Sequence, residues 1–363
     1  METSRQPKDD FRFLSQLVLT PSDSPLSSQF VDAARDLNPG EFDAITSLAA
    51  KNHVIIRAFS WLSHLLKKSG GSKLTEQVSR STEEENSRIH HTLGLLDKIC
   101  STLEQSGCPV TVIKSLDHWP DLGSDLDLYT DAEPAYVVDA MRTKLQAKVE
   151  DRSWGDRLAN KWNFVVPGLN ELVEIHIGRL GQTGEQTILT KSLSQRTRVL
   201  NVGRYSYRVL APEDRIIVST LQRMYRHFYI RLCDVIDNAN LLESECVDFD
   251  ALHRLGSLAG IWEGIATYLA IISGYVEAFR GHGIALPAFV TGSAKFGADQ
   301  VHYRRDFLRV PILPHSLNLF VSELRTLVIR GEVRNSLRLS LLPGLATAAA
   351  LELKITGSDK GIW

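Results

Sequence analysis

Cysteine is scarce in this chain. Its 363 residues include four, Cys100, Cys108, Cys233 and Cys246, and no two stand in Cys-x-x-Cys spacing. That excludes a zinc ribbon or a thioredoxin-type motif. Four cysteines in a chain this long do not make a disulfide framework, and a reducing cytoplasm is the expected location. An excess of one charge is lacking too: 41 lysines and arginines stand against 43 aspartates and glutamates. Bulk nucleic-acid binding is therefore not expected, although a small local basic site is compatible with the balance. Long apolar runs are rare. Residues 255–276 come nearest to a span, but Glu263 falls inside them and glycine and serine recur. A charge near the middle of a span is costly, so a buried helix or helix pair is expected there, and no membrane span. The opening METSRQPKDDFRF has no apolar signal core.

What is present is an ordinary globular composition, 43% hydrophobic, with length for two or three domains. Residues 1–25 are polar, contain Pro21 and Pro25, and read as a loose arm. Residues 26–104 read as helical. Asn38 and Pro39 make a helix start, and Phe42, Ile45, Leu48 and Ala49 form an apolar stripe. His53 is placed to split the run into two helices. Ile89, Leu93, Leu96, Ile99 and Leu103 make a later helix face, stopped by Gly107 and Pro109. The pattern then changes to short strands at 110–114, 124–130, 161–167 and 172–177, with a helix starting at Pro134. From Pro212 the spacing is helical again, running through Ile217, Leu221, Met224, Phe228, Leu232 and Ile236. The expected fold is α+β: a small mixed-sheet core at 105–210, flanked by the helical region 26–104 and a helical region at 211–363.

The informative stretch is SLDHWPDLGSDLDLYTD, residues 115–131, with Asp117, Asp121, Asp125 and Asp127 inside eleven positions. In a strand, side chains at i and i+2 share a face. Asp125 and Asp127 therefore stand together while Leu126 and Leu128 face the other way. Either the pair lines a solvated strand face, or it holds a metal ion. Adjacent carboxylates repel, which raises the pKa of one of them, and a divalent cation removes the conflict. Mg²⁺ is bound by one or two carboxylates together with waters and substrate phosphates. Glu174 and His176 share a face of the last strand by the same rule. If the two strands are neighbours, Glu174 completes a three-acid cluster able to hold two ions about 3.5–4 Å apart. Alternation alone is more often a solvated face. The order of strand, Gly123 loop, acid pair and later acidic strand favours the metal. Simple accounts of single residues are an intrahelical Arg231–Asp234 pair, loop acids at Asp117 and Asp121, and a satisfied histidine at His176.

The stretches GCPVTVIKS, GSDLDLYT and VEIHI resemble the DNA polymerase β-like nucleotidyltransferase superfamily, and within it a bacterial group of uncharacterised nucleotidyltransferase family proteins. The likeness extends over residues 40–240. It implies Mg²⁺ or Mn²⁺ on Asp125, Asp127 and Glu174, nucleotide contacts from Lys114, Ser115, Ser124 and Arg231, and transfer of a nucleoside monophosphate from ATP or another NTP. Three features depart from the pattern: Ser115 stands for a usual glycine, Glu174 for a commoner aspartate, and the loop LDHWPDLG is unusually rich in bulky and acidic residues. Two other readings stay open. One is a degenerate core kept for binding or regulation. The other is an Asp-x-Asp metal-dependent glycosyltransferase, which normally has alternating strands and helices before the motif. Near-neutral charge favours a small-molecule or protein acceptor.

Overall fold

The computed structural model describes residues 6–20, 32–34, 37–68, 73–244 and 247–348. The amino-terminal helices are α1 (Pro7–Leu19), α2 (Pro39–Lys51), α3 (Ile55–Lys68) and α4 (Lys73–Gln105). The Asn38 side chain accepts from the Glu41 amide while Glu41 accepts from the Asn38 amide, a capping box that fixes the start of α2. His53, at φ 53°, turns the chain between α2 and α3. The start of α3 is capped from a distance: the Asp121 carboxylate accepts from the Ile56 amide at 2.7 Å and the Arg57 amide at 3.3 Å. Asp121 is thus a buried capping residue rather than a loop acid. Asp117 pairs with Arg215 Nε at 2.7 Å.

A seven-stranded sheet follows, in the order β3-β4-β5-β2-β1-β7-β6. Its strands are β1 (Thr111–Val112), β2 (Asp125–Thr130), β3 (Lys148–Val149), β4 (Lys161–Val165), β5 (Leu172–Ile177), β6 (Thr197–Val202) and β7 (Tyr205–Leu210). Helix α5 (Pro134–Lys144) connects β2 to β3. One sheet face carries Leu126, Leu128, Val173 and Ile175, which pack with Leu93 and Leu96 of α4 and Val137 of α5. The acids of β2 and β5 therefore look the other way. There a second core joins the amino-terminal helices to α6 (Pro212–Thr220), α7 (Leu232–Ser244), α8 (Phe249–Ala259) and α9 (Trp262–Arg280).

Three expectations are corrected. Residues 7–19 are not a loose arm. Pro7 opens a helix whose Phe11, Leu14 and Leu17 are buried, and Ser15 Oγ lies 2.8 Å from Tyr275 Oη on α9. The rest of the expected arm, 1–5 and 21–25, lies outside the described residues. The front and back helical regions share one core, with Phe59 and Leu62 in the same buried cluster as Leu269 and Ile272. The helical spacing after Pro212 is interrupted: a π-helical turn (Leu221–His227) ends at Phe228, φ 54°, and β8 (Tyr229–Ile230) follows. Finally, the back region contains a three-stranded sheet, β8-β10-β9, with β9 (His302–Arg304) and β10 (Phe307–Arg309).

Residues 255–276 fall on a helix pair, with Gly260 in the left-handed region between α8 and α9. Among the described residues no helix is long and apolar enough to cross a membrane. The carboxyl-terminal helices are α10 (Leu317–Ile329) and α11 (Val333–Ser340).

Candidate active site

The β2 and β5 strands are parallel neighbours, and their register sets Asp127 beside Glu174 and Tyr129 beside His176. Glu174 also pairs with Asn163 of β4, and His176 with Lys161. Six polar side chains from three strands consequently rise from one face: Asp125, Asp127, Glu174, His176, Lys161 and Asn163. Ligand atoms of Asp127, Glu174 and His176 all lie within 4.8 Å of one another. His176 Nε2 is 3.5 Å from Asp127 Oδ1 and 4.0 Å from Glu174 Oε2.

The two aspartates sit in opposite electrostatic surroundings. Burial, with the negative charges of Glu174 and Asp127, pushes Asp125 up to about 6. Burial acts in the same direction on Asp127, but Lys114 and His176 outweigh it and hold that carboxyl below its ordinary value. The Lys114 ammonium contacts Asp127 directly. Lys161 Nζ lies 3.2 Å from Glu174 and 2.9 Å from Asp156. Burial first, then Lys114, lowers His176, so its imidazole is neutral at neutral pH. Both its ring nitrogens are buried without a hydrogen-bond partner. His176 is therefore not the satisfied histidine of the simple account. A neutral, unpartnered imidazole facing two carboxylates is a donor set that fits a divalent cation. The oxygens suit Mg²⁺ or Mn²⁺, and the nitrogen extends the fit toward softer metals.

The other expected nucleotide contacts divide. Lys114 is at the centre, in a left-handed conformation at φ 60° that turns it back toward Asp127. Ser124 is at the rim, with Oγ 3.5 Å from Asp125 Oδ2. Ser115 is buried and engaged elsewhere. Its Oγ accepts from the Asp127 amide at 2.8 Å and donates toward the Asp125 carbonyl at 3.2 Å. It is a clamp on the acid strand, which is why a serine works at this turn. Ser115→Ala leaves the Asp127 amide buried and unpaired. A loss of roughly 1–3 kcal/mol in chemical denaturation is expected.

Arg231 points away from the acids. Its Nη1 is 2.8 Å from His53 Nε2, and its guanidinium lies over Tyr229 and Phe307. The intrahelical pair expected with Asp234 is replaced by a cap: Asp234 accepts from the Arg231 amide at 2.7 Å and pairs with Arg223 Nε at 2.7 Å.

Lys161, Asn163 and Asp156 were not singled out from the sequence. The signal for the first two is the alternation in KWNFV, which puts Lys161 and Asn163 on one face. Asp156 reaches the site through the short helical turn at Trp154–Ala159, where Ser153 and Asp156 form a capping box. No protein-family model, curated protein or solved structure matches this chain.

Proposed function

We propose that the protein is a divalent-metal-dependent nucleotidyltransferase that moves a nucleoside monophosphate from an NTP to a hydroxyl or phosphate acceptor. The observation that carries this reading is the Asp127–Glu174 register on parallel strands, with Asp125 on the same face. Asp125, Asp127 and Glu174 would hold Mg²⁺ or Mn²⁺, which when bound neutralises the triphosphate and the departing pyrophosphate. Lys114 is a flexible cation next to Asp127, positioned to exchange that partner for a phosphate oxygen. Glu174, with Lys161 Nζ 3.2 Å away, is placed to take a proton from an acceptor hydroxyl. His176 adds an uncharged ligand that does not repel the metal.

A degenerate binding core has its own support, since Lys114 and Lys161 already neutralise part of the acid cluster. The glycosyltransferase reading is disfavoured, because the described residues from 39 to 105 form helices with no strand among them. Incubation with labelled NTPs and Mg²⁺ or Mn²⁺ separates the three. Pyrophosphate release, or self-labelling that is lost in Asp125→Asn, supports transfer. NTP binding without turnover favours the degenerate core. A preference for UDP- or GDP-sugars favours the glycosyltransferase.

A further inference from the structure

The π-helical turn between α6 and β8 is an unusual element, and such turns occur often at functional sites. Here its residues line three cavities. Gln222 lines two small ones on either side of Lys114, and the second is also lined by His176. Arg226, four residues on, lines that second cavity and also a groove of about 260 Å³ on its far side. Gln182 borders both as well. The groove is apolar: Met224, Phe228, Leu313, Leu317, Phe320 and Leu342 make its walls. Its volume is near the lower end of ligand pockets, roughly 300 Å³. Its rim exposes side chains that a soluble surface normally covers, with Leu313 71% and Leu317 48% accessible. Arg226, at the junction, is half-buried and has no ion-pair partner among the described residues. The half-buried Arg226 thus stands between a small cavity lined by His176 of the acid face and an open apolar groove.

We infer that the acceptor is a single-chain amphiphile, with a phosphate head at Arg226 beside the acid centre and an apolar tail in the groove. This rests on the nucleotidyl-transfer reading and specifies its acceptor class. A phosphate oxygen of the head bonds to the α-phosphorus of the NTP. The bond from that phosphorus to the bridging oxygen breaks, and pyrophosphate leaves with the electron pair. The phosphate head enters ionised, so no proton has to be moved. The cation at the junction selects an anionic head, and the groove selects the tail by burying methylenes.

The test uses the full chain with Mg²⁺ and no nucleotide, titrated calorimetrically with dodecyl phosphate below its micelle threshold. Glycerol phosphate (head alone) and dodecyl maltoside (tail with a neutral head) are the comparisons. Dodecyl phosphate is expected to bind at least about tenfold more tightly than glycerol phosphate. Ala346→Trp, which fills an exposed position on the groove wall, is expected to remove that advantage with an unchanged thermal midpoint. Arg226→Gln is expected to weaken dodecyl phosphate but not dodecyl maltoside. Equal binding of dodecyl phosphate and glycerol phosphate overturns the inference. So does a groove covered by a second copy or by residues 349–363, seen as no dodecyl phosphate binding in the full chain. With an NTP added, tail-independent pyrophosphate release overturns the acceptor class and leaves transfer standing. Tight tail-dependent binding without release sinks transfer and leaves the amphiphile site.

Discussion

Asp127→Asn is expected to eliminate nucleotidyl transfer and, separately, to destabilise the protein. Asp127 stands at the middle of the acid face, next to Glu174 in register and 3.5 Å from His176 Nε2. Losing its charge removes the ligand that all proposed cation positions share, so transfer should fall roughly a thousandfold or more. The stability effect has a different origin. Asp127 is buried and pairs with the half-buried Lys114, and removing one partner of such a pair leaves a poorly compensated charge, costing up to roughly 3 kcal/mol. Because Asp127 is held below its ordinary pKa, its contribution is present above the unfolded value and is lost as pH falls below it. The check is urea denaturation at pH 7 in EDTA, alongside pyrophosphate release in Mg²⁺. Unchanged transfer in a folded variant contradicts the assignment.

Asp125→Asn is expected to do the opposite to stability while still abolishing transfer. Asp125 is pushed from 3.8 to about 6 by burial and by two neighbouring carboxylates. Between those values the folded state binds more protons than the unfolded state, so stability declines as pH rises through that window. Asparagine carries no such penalty. The metal-free variant should therefore match wild type near pH 4 and exceed it near pH 7, by roughly 0.5–2 kcal/mol. In wild type, protons compete with the metal at Asp125, so Mn²⁺ affinity should drop as pH falls through about 6. Paired thermal melts in EDTA across pH 4–8 and Mn²⁺ titrations over the same range test both parts. A variant less stable than wild type at pH 7 means that Asp125 is not repelled in the folded protein. Two aspartates on one strand thus differ in sign: at Asp127 the adjacent Lys114 and His176 outweigh burial, while at Asp125 burial and two carboxylates outweigh the pull of Lys114 and Lys161.

Much of the acid face was legible from the sequence because it rests on a period of two. Alternation in DLDLYT and LVEIHI fixes which residues share a face, and β-branched neighbours identify the strands. Strand adjacency was not legible: it depends on a crossover through α5, β3 and β4, and no local pattern sets that pairing. The lysine partners were missed for the same reason, since Lys161 meets Glu174 only once β4 and β5 pair. The β6–β7 hairpin carried a readable signal, alternation around Gly203 at φ 57°. Helix α1 was hidden by the polar residues around it, although Phe11, Leu14 and Leu17 have helical spacing. The break at Phe228 was unreadable from periodicity, because Leu221, Met224 and Phe228 keep α-helical spacing in the sequence although the chain winds there as a π-helical turn.

The central claim is that the carboxylates of β2 and β5 share a cation. Anomalous diffraction from crystals soaked in Mn²⁺ tests it most directly. The account predicts a peak bonded to both Asp127 and Glu174, at about 2.0–2.2 Å from their oxygens, with the Lys114 ammonium displaced from Asp127. No peak there at saturating Mn²⁺, with Lys114 still seated on Asp127, would contradict it.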